Sequence, residues 1–289
     1  RYGLVALASS LDQIGPMSRN VYENALLLNS LVGYDSKDLT SAQREDEDFT
    51  RWIGKEIRGM KIAIPRYFVS EIVDPEIVKQ QENVKKILED AGAVVEYIDI
   101  QHLEQAVTLY QIIAMGEASS NLARFDGVRY GYSAPNCKDT NELYKKTRQE
   151  CFGVEVKRRI IVGSYILSGE NAKIYYDKAL KIRQEMQESF EQHFQNYDLI
   201  IGPTTTTTAY SIDSPMDDVH KNFMDDIFVI PVNMAGLPAL SLPMGFSKDH
   251  LPIGLHIIGN HFEEAKIYQL AAFLEKELDL DLEGEKVHE

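Results

Sequence analysis

The stretch of residues 61–98 constrains the fold of this chain more than any other, because it has the pattern of a strand, a helix and a second strand. Apolar runs at 61–64 and 94–98 are short enough for buried strands. Between them, Asp74-Pro75 predicts a helix N-terminus with proline at the first helical position, and Gly92 predicts its end. Strands joined by a helical crossover pair in parallel, so the sequence predicts an α/β fold.

The remaining sequence adds more helices and strands to this unit. Ser18 precedes apolar residues at helical spacing, and we expect it to cap a helix that ends near Gly33. Residues 34–58 are charged and polar and predict a solvated excursion, whereas 102–195 predict mostly helix. Further strands are predicted at 198–203, 239–243 and 253–258, and a last helix at 263–278. We see no linker that would divide the chain.

The charge balance and the cysteine count exclude several classes of protein. The 289 residues include 30 Lys and Arg against 45 Asp and Glu, a net charge of −15. Such a chain is poorly suited to bind nucleic-acid phosphates by itself. The two cysteines, Cys137 and Cys151, are too few for a disulfide framework or a zinc cluster. The longest uncharged stretch, 227–247, contains three prolines and cannot be a transmembrane helix.

Three segments carry more polar groups than packing alone requires. They are residues 110–131, which begin with Tyr110, residues 156–163, which contain the Arg158-Arg159 pair, and residues 225–239, which begin with the Asp225-Asp226 pair. An arginine, an aspartate and a tyrosine together suit a free amino acid, because they can bind its carboxylate, its ammonium group and its side chain. The structural alternatives are a helix packed closely through small residues, a solvated helix face and an ordinary loop or helix end.

Two other polar features favour structural roles. Ser9-Ser10 has the composition of a possible nucleophile, but a turn before Asp12 is the better interpretation. His256 lies in a strand pattern, where a histidine is more often a satisfied core or surface residue than a catalyst. Neither feature is assigned a catalytic role.

The order of several long motifs resembles that of the amidase signature family, and within it the glutamine-hydrolysing subunits of tRNA-dependent amidotransferases. The resemblance extends from Arg1 to about Leu278. The motifs that carry it lie at residues 1–16, 117–131, 155–160, 231–238 and 251–259. The fold that it implies is an α/β/α sandwich with a central mixed sheet, of which residues 1–289 are the C-terminal part of a single domain.

The resemblance implies that the whole enzyme hydrolyses glutamine to glutamate and ammonia. A partner, the B subunit, would bind ATP and Mg and use the ammonia to convert Glu-tRNA(Gln) to Gln-tRNA(Gln), and a C subunit would complete a heterotrimer. The enzyme would be cytoplasmic, with no cofactor or metal bound by this chain and no membrane contact. The tRNA would bind mainly to the B subunit. The alternatives are an amidase-signature hydrolase of another amide and a non-catalytic binding module.

The resemblance also assigns roles to residues of this chain. Tyr110 would contact the bound glutamine, Arg159 would bind its α-carboxylate and Asp226 its α-amino group. The family's nucleophile is a serine assisted by a second serine and a neutral lysine, which serves as the base. The resemblance places that triad upstream of Arg1. We therefore expect this chain to be a piece of a longer protein, with no catalytic residue of its own and no activity alone.

Overall fold

The protein is described by a computed structural model over residues 4–213 and 225–280. Its contacts divide the chain into two compact units. Unit 1 comprises Arg1–Gln13 and Thr108–Glu185, and unit 2 comprises Ile14–Val107 and Met186–Glu289. The assignment of residues 1–289 to a single domain stays a prediction.

Unit 2 is built on a five-stranded mixed sheet with the strand order β2-β1-β3-β5-β4. The strands are β1 (Lys61–Pro65), β2 (Val94–Ile98), β3 (Leu199–Pro203), β4 (Ala239–Phe246) and β5 (Pro252–Gly259). Strand β1 pairs in parallel with both β2 and β3, whereas β5 pairs antiparallel with β3 and β4. The predicted α/β class with a mixed sheet is confirmed.

The helix between β1 and β2 begins and ends at the residues that the sequence indicates. Helix α2 (Pro75–Asp90) is capped by Asp74, whose side chain accepts the Glu76 N–H at 2.8 Å. It is followed by Gly92 with φ of +86°, a left-handed conformation that glycine adopts without strain. The buried residues of α2 are Ile77, Gln81, Val84 and Leu88.

The first helix, α1 (Val21–Leu31), begins later than predicted. Asn20 caps it instead of Ser18, because the Asn20 side-chain oxygen accepts the Glu23 N–H at 2.8 Å. Ser18 lies outside the helix, and its hydroxyl donates to the Asn20 carbonyl at 2.8 Å. The expected Ser18 cap was therefore wrong.

The charged stretch after α1 is exposed or half-buried through residue 48. Beyond it, Phe49 and Ile57 are buried, and the ring centroid of Phe49 lies 5.8 Å from that of Tyr268. The predicted excursion over residues 34–58 is therefore solvated except at Phe49 and Ile57.

The other helices of unit 2 include a short α7 (Ile230–Ala235) and the last helix, α8 (Glu264–Leu278). In α7 only Asn233 is not fully buried, so this helix belongs to the core. The segment before α7 is anchored by Phe228, whose ring packs 4.8 Å from that of Phe68. This anchor positions Asp225 and Asp226, which precede Phe228 in the chain.

Unit 1 is helical, as the sequence predicts. Its helices are α3 (Ala106–Asn121) from Thr108 onward, α4 (Thr140–Cys151), α5 (Val154–Ile166) and α6 (Asp177–Phe194) as far as Glu185. A π-helical turn, Ala172–Tyr176, leads directly into α6. Helix is interrupted near Gly127, Gly131 and Gly169, all of which have positive φ.

Candidate functional site

A carboxylate shared by two arginines dominates the first turn of α5. Arg158 donates from Nε and Nη2 to the two oxygens of Glu155, each at 2.8 Å. Arg159 donates to the same carboxylate from Nε alone, at 2.9 Å. The bonds from Arg158 and then from Arg159 lower the pKa of Glu155 to about 2. Glu155 therefore stays ionised and orients both guanidinium groups.

The two arginines differ in how many guanidinium nitrogens remain available to a ligand. Arg158 commits two of its three guanidinium nitrogens to Glu155. Arg159 commits one, and its Nη1 and Nη2 form no hydrogen bond with any residue that the structure describes. Its side chain is 29% exposed, so a small ligand can reach these nitrogens. Arg159 can thus donate two parallel bonds to a carboxylate, which is the favoured arginine–carboxylate geometry.

Tyr110 lies on α3, also in unit 1, and is half-buried. Helices α3 and α5 pack closely at Gly163, where a Cβ atom would lie 1.9 Å from the Met115 carbonyl oxygen and 2.7 Å from the Ser119 Cβ. The hydroxyl oxygens of Ser119 and Ser164 are 2.9 Å apart beside this contact. Since α3 carries Tyr110 and α5 carries Arg159, this contact fixes the spacing of the two helices.

Asp226 lies in unit 2, just before α7. Its backbone carbonyl accepts the N–H groups of Val229 and Ile230 at 3.1 and 2.9 Å, which holds it at the start of a turn. Its carboxylate forms no hydrogen bond or ion pair with the residues of the described ranges. Although the residue is exposed, neighbouring atoms displace part of the carboxylate's hydration. This desolvation, and then the charge of Asp225, raise the pKa of Asp226.

An ammonium group would stabilise this carboxylate, because it would replace lost hydration and offset the repulsion from Asp225.

The structure places Tyr110 and Arg159 on two packed helices of unit 1, and Asp226 in unit 2. All three are accessible or partly accessible side chains of the type that a zwitterionic amino acid requires.

The histidine and lysine residues show no catalytic arrangement in the part of the chain that the structure describes. No lysine amine there is hydrogen-bonded to a serine hydroxyl. His256 is 5% exposed, burial lowers its pKa to about 4, and its Nδ1 has no hydrogen-bond partner in the described residues. The expected position of His256 in the core is confirmed, but the expectation that its ring is satisfied is not, because Nδ1 lacks a partner among the described residues.

Within residues 4–213 and 225–280, no helix is both long enough and apolar enough to cross a bilayer. Nor do three His, Cys, Asp or Glu side chains of residues 4–213 and 225–280 gather as metal ligands.

Two residues that matter for the geometry were not singled out from the sequence. Glu155 precedes Arg159 by four positions, a spacing at which opposite charges meet on a helix, so the pair could have been found. Gly163 lies inside a helix, where glycine often has a packing reason, but its contact with Met115 depends on the tertiary structure.

Residues 1–268 match the family model described as Amidase. The A subunit of glutamyl-tRNA(Gln) amidotransferase from Halothermothrix orenii is 47% identical over 287 residues, which are 99% of this chain and 60% of that protein. The protein of the same description from Streptococcus sanguinis is 48% identical over 279 residues, or 96% of this chain and 57% of that protein. The chain thus spans about three fifths of the length of these relatives.

Solved structures agree with this match. The crystal structure of the A subunit of glutamyl-tRNA(Gln) amidotransferase from Thermotoga maritima aligns with a TM-score of 0.76 and 36% identity, covering 96% of this chain and 55% of that one. A bacterial aryl acylamidase of the amidase signature enzymes aligns with a TM-score of 0.70 and 21% identity, covering 91% of this chain and 52% of that one. At that identity the second likeness shows the fold alone.

Proposed function

The chain belongs to the amidase family, and on that premise we propose that it forms the glutamine-recognising part of the A subunit of a glutamyl-tRNA(Gln) amidotransferase. Relatives of that description are 47–48% identical over nearly the whole chain. The complete enzyme would hydrolyse glutamine to glutamate and ammonia. The ammonia would serve the ATP-dependent conversion of Glu-tRNA(Gln) to Gln-tRNA(Gln).

The observation that carries the proposal is the difference between Arg158 and Arg159. Glu155 occupies the fork of Arg158 but only Nε of Arg159, which leaves Nη1 and Nη2 of Arg159 to donate to the α-carboxylate of glutamine. Asp226, unpaired within the described residues and partly desolvated, would accept the α-ammonium group. Tyr110 would contact the rest of the substrate. These are the charges that a free amino acid needs, and a simple aliphatic amide would use neither the cation nor the anion.

The hydrolytic step would be carried out by residues outside this chain. The proposed nucleophile is a serine, assisted by a second serine and by a neutral lysine that accepts its proton. We therefore expect the chain alone to bind glutamine without hydrolysing it.

The remaining parts of the proposal concern partners and location. A partner, the B subunit, would bind ATP, Mg and most of the tRNA, and a C subunit would complete the heterotrimer. The net charge of −15 supports the assignment of tRNA binding to the partner, because this chain has an excess of like charge. The enzyme would act in the cytoplasm, where its aminoacyl-tRNA substrate is used.

A ligand series tests the recognition scheme. Binding to this chain is measured by NMR titration for glutamine, for glutaramate, which lacks the α-amino group, and for 4-aminobutanamide, which lacks the α-carboxylate. Arg159→Ala is expected to weaken the binding of glutamine and glutaramate at least about tenfold, as for a lost charged hydrogen bond, and to leave 4-aminobutanamide unaffected. Asp226→Asn is expected to weaken the binding of glutamine and 4-aminobutanamide and to leave the binding of glutaramate unaffected.

The matched control is Arg158→Ala, which removes the same charge from the adjacent position. It should leave the affinity for glutamine within about threefold of wild type, since losing a charge at the surface has a small effect. Equal losses in Arg158→Ala and Arg159→Ala would contradict the assignment of the carboxylate to Arg159. Tighter binding of an aliphatic amide than of glutamine would favour a different amide hydrolase.

A further inference from the structure

Every hydrogen-bonding group of Ser10 is used within unit 1. Its N–H donates to Oε2 of Glu117 at 2.9 Å, and its hydroxyl donates to Oε1 of the same carboxylate. The hydroxyl oxygen accepts from Nη1 of Arg183 at 2.7 Å, and the carbonyl accepts from Nη2 at 2.8 Å. Glu117 lies on α3 and Arg183 on α6. Two charged side chains from two helices thus hold one serine.

Ser10 belongs to a compact turn of residues 7–12, which we name the 7–12 turn. The carboxylate of Asp12 accepts the N–H groups of Leu7 and Ala8 at 2.9 and 3.2 Å, and the Ala8 carbonyl accepts the N–H of Asp12 at 2.8 Å. Asn121 adds a further anchor from α3, because its side-chain amide donates to the Leu7 carbonyl at 3.2 Å. The turn is therefore closed internally and tied to α3 at two points.

The two anchors on α3 share a face of the helix with Tyr110. Glu117 and Asn121 follow Tyr110 by seven and eleven positions, which correspond to about two and three helical turns. Leu7 of the 7–12 turn is bonded to Asn121, and Ser10 is bonded to Glu117. Since Glu117 lies nearer to Tyr110 along α3 than Asn121 does, the turn runs along this face toward Tyr110. At 1.5 Å per residue, Glu117 is about 10 Å from Tyr110 along the helix axis.

The guanidinium group of Arg183 loses part of its hydration where it holds Ser10. Burial lowers the pKa of Arg183, and the charge of Glu117 opposes that shift. The π-helical turn before α6 brings Tyr176 against α3, so that a Cβ atom on Gly116 would lie 3.0 Å from the Tyr176 ring. Burial and the charge of Glu117 raise the pKa of Tyr176. A partly buried guanidinium group thus holds a turn in which Ser10 itself is exposed.

We propose that Glu117 and Arg183 are positioning residues of the glutamine site, which hold the 7–12 turn beside the Tyr110 face of α3. The inference rests on the proposed function, because it assigns Tyr110 to that site. The bonds of this network end on Ser10, which is exposed, and hydrogen bonds to an exposed residue contribute little to stability, whereas a binding site gains affinity when its walls are fixed before the ligand arrives. That difference favours a role in recognition over a role in stability alone.

The variant that tests the inference is Glu117→Gln. Glutamine keeps the size of the side chain, but only one of its two terminal atoms can accept a bond, so either the N–H or the hydroxyl of Ser10 loses its acceptor. We expect faster hydrogen exchange at the Ser10 amide, a dissociation constant for glutamine raised at least about tenfold and a Tm changed by no more than about 3 °C. Glu142→Gln is the matched control, since Glu142 accepts the Lys138 N–H at 2.7 Å elsewhere in unit 1.

Arg183→Lys is the second variant and serves if Glu117→Gln does not fold. Lysine keeps the charge but cannot hold the hydroxyl and the carbonyl of Ser10 with a rigid fork. Faster exchange at Ser10 with unchanged glutamine affinity in both variants would overturn the inference and leave the proposed function intact. No binding of glutamine by the wild-type chain would overturn both. Weaker binding with an unchanged Ser10 amide would also overturn the inference, because the effect would not pass through the 7–12 turn.

Discussion

Replacing Gly163 by alanine should disturb both the stability of the protein and its affinity for glutamine. The added methyl group would lie 1.9 Å from the Met115 carbonyl oxygen, and ordinary contact begins at 3.4 Å, so α3 and α5 would have to separate by about 1.5 Å. Overpacking of this kind costs about 1–3 kcal/mol. Alanine gains up to about 1 kcal/mol in helix propensity, which offsets part of that cost.

The consequence for binding follows from the position of Arg159, one helical turn before Gly163 on α5. A displacement of about 1 Å in a recognition group can reduce the efficiency of a site by as much as about a hundredfold. We therefore expect Gly163→Ala to weaken glutamine binding at least tenfold and to lower the Tm by roughly 2–8 °C, as 1–2 kcal/mol implies for a chain of this size.

The assay compares thermal unfolding and NMR titration with glutamine for Gly163→Ala and Gly153→Ala. Gly153 caps the same helix with φ of −65°, and a Cβ atom there meets no atom within 4 Å, so its replacement should leave the glutamine affinity unchanged and lower the stability by no more than the loss of an N-cap, about 1 kcal/mol. If Gly163→Ala had the Tm and the glutamine affinity of wild type, the close contact would not determine the spacing of α3 and α5. The reasoning about the position of Arg159 would then be refuted.

Two further predictions concern stability. Burial lowers the pKa of His256 from 6.5 to about 4, so the unfolded chain takes up a proton in this range before the native one does. The free energy of unfolding, measured with urea, should fall by about 3 kcal/mol between pH 6.5 and 4 because of this residue. His256→Gln should remove that loss, whereas the control His261→Gln, at an exposed position, should retain it. Asn20→Ala should cost about 1 kcal/mol through loss of the α1 cap, while Ser18→Ala should cost less than half of that, as judged by the Tm.

The sequence predicts the elements of unit 2 well where the signals are local. Asp74, Pro75 and Gly92 define α2 because a cap, a first-turn proline and a left-handed glycine act within a few residues. The choice between Ser18 and Asn20 depends on where the helix begins to pack, since both residue types cap well. Phe49 and Ile57 are isolated apolar residues in a charged stretch, and only the tertiary fold shows that they are buried.

The candidate site is less accessible from sequence. Residue type and resemblance predict Tyr110, Arg159 and Asp226 as candidates. They do not predict the free Nη edge of Arg159, which depends on how Glu155 divides its oxygens between two arginines. The anchoring of Ser10 joins distant parts of the chain, so no periodicity indicates it. The turn expected at Ser9-Ser10 is present, and its bonds to Glu117 and Arg183 come only from the fold.

We propose that this chain recognises glutamine without hydrolysing it, and one paired measurement separates binding from hydrolysis. Glutamine binding and ammonia release are measured on the same preparation of the chain, after circular dichroism has shown that it is folded. We expect saturable binding of glutamine and no ammonia above the buffer background. Saturable ammonia release would place a nucleophile within residues 1–289 and overturn the proposal.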